Sequence, residues 1–365
     1  MLSLVSKLKR KLPKVVFAAQ YFYPMIGGAE HTANLLLQTL ARHGYRSEVI
    51  CLGKPRQFRF GNIFVRRTSE IEKVPKLLKQ AKADVILTQL NLAPFVVGVA
   101  RILSVPVILN VASYECYWPD LMAVAKNKGE GRYKRYELIN KDVLRTQRWA
   151  MEKANIVCCA SKYLARMVHK SYGRKAEILY PPIDDGPDYV GDPDSVKDRR
   201  YVTMCTALSF KGANVFSEIA RRMPQEKFLA VGGRGQPQAY GLNRLPNVTC
   251  WGEKKPCEFY SVTKLLLVPS LCPESFGRVV LEAMANGIPV IASRVGGLPE
   301  SVGRAGILMG DYKNPASWVM QINNMLNDKK RYRHYVCLGK KQYQGFTTEK
   351  LFPRFERMIR RLIKK

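Results

Sequence analysis

From Lys14 onward, short apolar runs alternate with amphipathic stretches of helical spacing. VVFAAQ comes first, a helical pattern covers about 29–42, and SEVICL, DVILTQL, VPVILN and NIVCCA follow. Short apolar runs bounded by polar segments are the pattern of buried strands, and their alternation with helices predicts a mainly parallel sheet. The alternation breaks at Tyr180-Pro-Pro-Ile-Asp-Asp-Gly-Pro-Asp188 and again at Gly191-Asp-Pro-Asp194, where Pro, Gly and Asp cluster as in a connector. It resumes with YVTMC, a helix over about 213–222, KFLAVGG, NVTCW, KLLLVPS and IPVIAS. The expected fold class is therefore α/β, with two Rossmann-like domains over residues 1–188 and 189–345. Phe352, Phe355, Met358, Ile359, Leu362 and Ile363 recur at helical spacing and predict a last helix within about 346–365.

The most informative stretch is PESFGRVVLEAMANGIPVIASRVGGLPESV, from Pro273 to Val302. Glu274 precedes a Phe-Gly turn, and Glu282 lies in the apolar helix that follows. A short buried-strand pattern, Pro289 to Ala292, then leads into a Gly296-Gly297 turn and Leu298-Pro299-Glu300. Strand and helix ends converge here, and in open α/β sheets ligands bind at such ends. Glu274 to Glu282 resembles the E-x7-E signature of retaining glycosyltransferases of group 1 (family 4-like) with the GT-B fold, and EAMANGIPVIAS and GGLPE extend the resemblance. It implies two Rossmann-like domains facing a cleft, a first domain that binds the acceptor, a second that binds a nucleotide sugar, and a last helix crossing back to the first domain.

The resemblance also assigns roles. Glu274 is expected to meet hydroxyls of the transferred sugar, Ser275, Phe276 and Gly277 to present backbone amides at a helix start, and Glu282 to accept from ribose hydroxyls. Lys211-Gly212, after the first strand of the second domain, resembles the element whose lysine meets the donor diphosphate. The arginine that relatives place before that lysine is missing from Thr206-Ala-Leu-Ser-Phe210, and Arg278 is the nearest replacement by motif position. Gly27-Gly28, between strand and helix, resembles the glycine-rich loop of the first domain, and Gly232-Gly233 repeats it in kind after KFLAV. Without Cβ atoms such backbone can approach a ligand closely, and the helix N-terminus favours negative charge. The first-domain histidine of many relatives is also missing, for Val111-Ala-Ser-Tyr-Glu-Cys116 stands in its place, with Ser113, Tyr114 or Glu115 as substitutes. The resembled reaction retains anomeric configuration, with the departing phosphate oxygen taking the acceptor's proton, so it needs no dedicated nucleophile.

Composition narrows the partners. The chain has 365 residues, 47% of them hydrophobic, enough for two cores. Its longest apolar run, Leu92 to Ala100, is far short of the roughly 20 residues that cross a bilayer. Val15 to Ala19 is too short for a signal-peptide core, so a cytoplasmic location is expected. Nine cysteines without a C-x-x-C pair read as reduced core thiols, and the four scattered histidines give no metal-ligand spacing. Asp192-Pro-Asp194 imitates a metal-binding D-x-D but sits in the connector. No cofactor or metal is expected beyond a UDP- or GDP-linked sugar donor.

Charge is the outlier, with 60 Lys and Arg against 29 Asp and Glu, a net +31. That excess calls for an anionic partner. Met1, Leu4, Val5, Leu8 and Leu12 share one helical face beside Lys7, Lys9, Arg10 and Lys11, which suits an interfacial helix, and the segment from about 126 to 153 reads as a long basic helix. An anionic membrane surface is the expected partner, held peripherally, with a lipid-linked or polysaccharide acceptor. Two rivals stand beside this reading. A sugar-nucleotide epimerase shares the architecture but needs a histidine-and-acid constellation that the sequence does not offer. A nucleic-acid-binding protein is favoured by charge alone, without zinc-finger spacing or an RNA-binding aromatic signature.

Overall fold

In the computed structural model, residues 12–22, 27–113, 141–184, 186, 188–190, 198–232 and 240–363 are described, with 141–144 as backbone only. The expected N-terminal interfacial helix, the 126–140 part of the basic segment and the Asp192 and Asp194 pair lie outside these residues. The chain divides into two compact units, residues 1–110 with 146–158 and 352–365, and residues 111–145 with 159–351.

The predicted apolar runs become strands β1 (Lys14–Ala19), β2 (Arg46–Leu52), β5 (Val85–Gln89), β6 (Val107–Val111) and β7 (Ile156–Cys159). In β1, β5 and β6 almost every residue is buried, as expected of parallel strands covered on both faces. With β3 (Arg56–Phe60), β4 (Ile63–Thr68) and β8 (Glu177–Ile178) they form a sheet in the order β3-β4-β2-β1-β5-β6-β7-β8. The hairpin β3–β4 is antiparallel and was not legible in the apolar pattern, because arginines alternate with its aromatic residues. Arg56 and Arg67 lie over the Phe58 ring at 5.2 and 5.1 Å, so the cations cover the apolar face instead of interrupting it.

Helices α1 (Gly28–Arg42), α2 (Val74–Ala81), α3 (Ala93–Ile102), α4 (Lys141–Lys153) and α5 (Lys162–Tyr172) connect these strands. The start of α1 falls where the Gly-Gly turn predicted it. Its apolar stripe, Ala33, Leu36, Leu37 and Leu40, is buried.

The second sheet contains β9 (Tyr201–Cys205), β10 (Lys227–Val231), β11 (Val248–Trp251), β12 (Thr263–Val268), β13 (Val290–Ser293) and β14 (Ile307–Met309), all parallel, in the order β11-β10-β9-β12-β13-β14. Chain order runs outward in both directions from β9, so the β9/β12 junction is the topological switch point. Helix α6 (Ala213–Arg222) packs Phe216 edge-to-face on Phe228 of β10, with ring centroids 5.5 Å apart. The other helices of this unit are α7 (Pro256–Ser261), α8 (Arg278–Ala285), α9 (Leu298–Val302), α10 (Pro315–Asn327) and α11 (Lys329–Gln344). Among the described residues, no helix is long and apolar enough to cross a membrane.

The last helix, α12, runs Thr348–Ile363 and starts earlier than its apolar spacing indicated. Pro353 lies inside it, and the proline removes one backbone donor without ending the helix. Its 352–363 part belongs to the first unit, as the expected cross-back requires. There Phe352 stacks on His43 at 4.0 Å, and Tyr45 Oη donates to Glu356 Oε1 at 2.8 Å. Arg360 donates to the same oxygen at 2.8 Å. Burial and the adjacent carboxylate push the Tyr45 hydroxyl from 10.0 up to about 12. Although partial burial of Glu356 works in the other direction, the hydrogen bonds from Arg360 and Tyr45 hold its carboxyl below the ordinary value.

Replacing Tyr45 with Phe should lower the unfolding free energy by about 1 kcal/mol at neutral pH, since one bond to a charged acceptor is lost at a solvated edge. A raised folded pKa stabilises below the unfolded value and ceases to do so above the folded one. The difference between wild type and Tyr45→Phe in urea unfolding should therefore shrink between pH 10 and about 12. A difference constant across that window would refute the tie.

Candidate active site

Three neighbouring strands, β9, β12 and β13, deliver the site's residues from their C-terminal ends. After β9 the chain turns through Thr206, with φ +58°, and a short 3-10 segment, Ser209–Lys211. Gly212 then takes φ +88° and opens α6. A Cβ at Gly212 would lie 2.0 Å from the Pro269 carbonyl oxygen, so only glycine lets this loop rest on the chain that leaves β12. The Phe210 carbonyl accepts from Leu271 N at 2.9 Å and Cys272 N at 3.2 Å. These contacts bring Lys211 to Glu274. Lys211 Nζ lies 2.6 Å from both carboxylate oxygens, and Ser270 Oγ donates to Oε1 at 2.5 Å. The ammonium also sits 5.7 Å from the centre of the Phe210 ring.

The Gly296-Gly297 turn after β13 clasps the Glu274 loop from the other side. Gly297 N donates to the Glu274 carbonyl at 2.7 Å. A Cβ at Gly296 would fall 2.4 Å from both N and O of Glu274, and one at Gly297 would fall 2.5 Å from Ser275 O. Gly277, at φ +90°, starts α8 without a side-chain cap, and its missing Cβ makes room for Leu298. Phe276 is buried and packs against Tyr180 and Phe346 at 5.3 and 5.4 Å.

Glu282, one turn into α8, is buried. Tyr260 Oη donates toward its Oε2 at 3.3 Å, and the Arg278 guanidinium lies 3.2 Å from Oε1. Arg278 also donates to the Pro182 carbonyl at 2.7 Å. The structure thus places Arg278, the candidate phosphate cation by motif position, on Glu282 and the Pro182 carbonyl. Burial, with the charge of Glu282, pushes the Cys205 thiol up to about 12 against the lowering effect of Tyr260, so Cys205 remains a neutral thiol. Burial likewise pushes Tyr260 well up, keeping it a donor to Glu282. Arg199 donates to the carbonyls of Asn286 and Gly287 at 2.5 and 3.2 Å and closes the C-terminal end of α8.

In the first unit, a Cβ at Gly27 would lie 2.0 Å from Oε2 of Glu30, so an acidic group already covers the start of α1. Gly28 is the first residue of that helix. Ser113 is described, whereas Tyr114, Glu115 and Gly233 lie outside the described residues. Among the described residues, no three His, Cys, Asp or Glu side chains gather where they could hold a metal ion.

Sequence reasoning missed Ser270, Tyr260 and the role of Glu300. Glu300 accepts from Lys162 N and Tyr163 N at 2.8 and 2.7 Å, and from Tyr180 Oη at 3.0 Å, while Ser161 caps Leu164 N. The first amides of α5 are thereby satisfied by one distant carboxylate and one local hydroxyl. The Ser161 cap was readable locally; the Glu300 contact spans 138 residues and was not.

The description "Glycosyl transferases group 1" matches residues 199–328, and "Glycosyltransferase Family 4" matches residues 26–186. The chain belongs to the group 1 glycosyltransferases of the GT-B fold. A D-inositol 3-phosphate glycosyltransferase from Segniliparus rotundus is 36% identical over 186 residues, 44% of this chain and 41% of that protein. The chain thus spans about two fifths of that relative's length. The fold is shared with sucrose-phosphate synthase from Thermosynechococcus elongatus (TM-score 0.78, 18% identity, 96% of this chain and 99% of that one). It is also shared with Anabaena HepE in complex with UDP and glucose (TM-score 0.73, 19% identity, 95% and 99%).

The clasp predicts a graded effect of adding one methyl group. Gly296→Ala should destabilise the protein by about 2–4 kcal/mol, combining left-handed strain with a backbone clash. Gly241→Ala, at φ +66° with nothing within 4 Å of the added Cβ, should cost only about 1 kcal/mol. Equal losses in denaturant titration would show that the Glu274 loop does not depend on that approach.

Proposed function

We propose that this glycosyltransferase moves a sugar, with retained anomeric configuration, from a UDP- or GDP-linked donor to a lipid-linked or polysaccharide acceptor. The observation that carries the reading is the convergence of Lys211, Ser270 and Glu274 at the switch point of the second sheet, with Glu274 eight residues before buried Glu282. Lys211 then serves the diphosphate, aided by the N-termini of α6 and α8, which start at glycines without side-chain caps. Glu274 accepts from sugar hydroxyls and Glu282 from the ribose. With Arg278 held on Glu282, Lys211 is the cation assigned to the leaving group, and the chemistry runs without a metal. HepE, crystallised with UDP and glucose, supports the donor class by analogy.

Glu274→Ala should reduce transfer by about 10³-fold or more, comparable to losing a major transition-state contact. Lys211→Ala should weaken diphosphate-dependent turnover by about 10²-fold. Glu274→Ala should leave the unfolding midpoint near that of wild type, whereas Lys211→Ala, which takes the ammonium from the poorly solvated Glu274 carboxylate, should lower it modestly; wild-type turnover in either would sink the assignment. Donor incubated without acceptor should keep its sugar unchanged; epimerised sugar would point to the rival enzyme class. Activity should survive EDTA, and loss that Mg²⁺ or Mn²⁺ restores would contradict the metal-independent route.

The charge excess supports a peripheral station at the cytoplasmic face of an anionic membrane, each Lys or Arg near the surface contributing about 1 kcal/mol. Co-sedimentation with anionic but not neutral vesicles, reversed by high salt and weakened by deleting residues 1–12, is the expected result. Salt-resistant binding to DNA or RNA without vesicle binding would instead favour the nucleic-acid reading.

A further inference from the structure

Lys211 meets both oxygens of Glu274 at 2.6 Å, so its charge is already answered by the carboxylate assigned to the sugar. A diphosphate that takes Lys211 must take it from Glu274. The Glu274 side chain is only 13% exposed, and among the described residues its other side-chain donor is the single proton of buried Ser270. A carboxylate left in that state is poorly solvated and half-satisfied, which opposes the exchange. A nucleotide sugar resolves the conflict within one molecule, because its diphosphate receives Lys211 while its hydroxyls donate to Glu274. A bare nucleoside diphosphate brings the first partner without the second.

We propose that Glu274 and the donor's diphosphate compete for Lys211, so that sugar hydroxyls, by satisfying Glu274, decide whether the diphosphate is held. This rests on the assignment of Lys211 to the diphosphate made above. Glu274 is then the residue that distinguishes the donor from its own product. Once the sugar leaves, Glu274 takes Lys211 back and the diphosphate is released. The Gly296-Gly297 clasp keeps the carboxylate in place for both steps.

The test is calorimetric binding of UDP, UDP-glucose, GDP and GDP-mannose to wild type, Glu274→Gln and Ser270→Ala. Wild type should prefer the sugar nucleotide to its diphosphate. Glu274→Gln, which frees Lys211, should bind the diphosphate about tenfold tighter than wild type, and the preference should vanish. Ser270→Ala leaves Glu274 with less support and should shift the diphosphate in the opposite sense, weakening it more than the sugar nucleotide. Should Glu274→Gln not fold, the Ser270→Ala result stands by itself. Unchanged or weaker diphosphate binding by folded Glu274→Gln, or equal weakening of both ligands by Ser270→Ala, overturns the exchange while leaving the donor site assignment intact. Failure of wild type to bind any of the four nucleotides overturns both.

Discussion

The close approach of two backbones, Gly296-Gly297 against Glu274-Ser275, is the constraint on which the rest of the site depends. At 2.4–2.5 Å from a hypothetical Cβ, the approach leaves no space for any other residue, and the Gly297 amide then bonds the Glu274 carbonyl. That bond joins the end of β13 to the loop after β12. The parallel contact of Gly212 on Pro269 joins the same loop to the end of β9. Lys211, Ser270 and Glu274 meet because glycines let three strand ends come within hydrogen-bonding reach.

Electrostatics explains how so basic a chain keeps buried acids. With about two cations for each carboxylate, every buried acid can find donors, and the structure places these acids at junctions. Glu48 receives Lys14 and Arg66 across β1, β2 and β4. Glu282 receives Arg278 and Tyr260, and Glu300 receives two amides of α5 and the Tyr180 hydroxyl. Burying a charge is tolerable only when it is paired and hydrogen-bonded, which is how the buried Glu48 and Glu282 are held, and the half-buried Glu300 is satisfied in the same way. The remaining cations leave the chain with its net charge of +31.

Fold and motif were legible because their signals are local. Strand burial needs only a short apolar run, helix burial only a regular spacing, and a tight turn only a glycine, so the two parallel sheets, α1, α6 and the Glu274–Glu282 segment could be read from neighbouring residues. The β3–β4 hairpin escaped because arginine counts as polar along the chain, yet its flat guanidinium packs on Phe58 in space.

What the sequence determined by itself, then, is the alternation of strands and helices, the glycine turns and the pair of glutamates. Tertiary structure alone decided which partner each charge takes. Arg278, singled out by its place beside the motif, pairs with Glu282 and the Pro182 carbonyl, which its position alone did not indicate, whereas Ser270 and Tyr260 carried no local mark and became partners of the two motif acids. The physical reason is range: propensity and periodicity act between residues a few positions apart, while a long side chain chooses among all charges and carbonyls that folding brings within 3 Å.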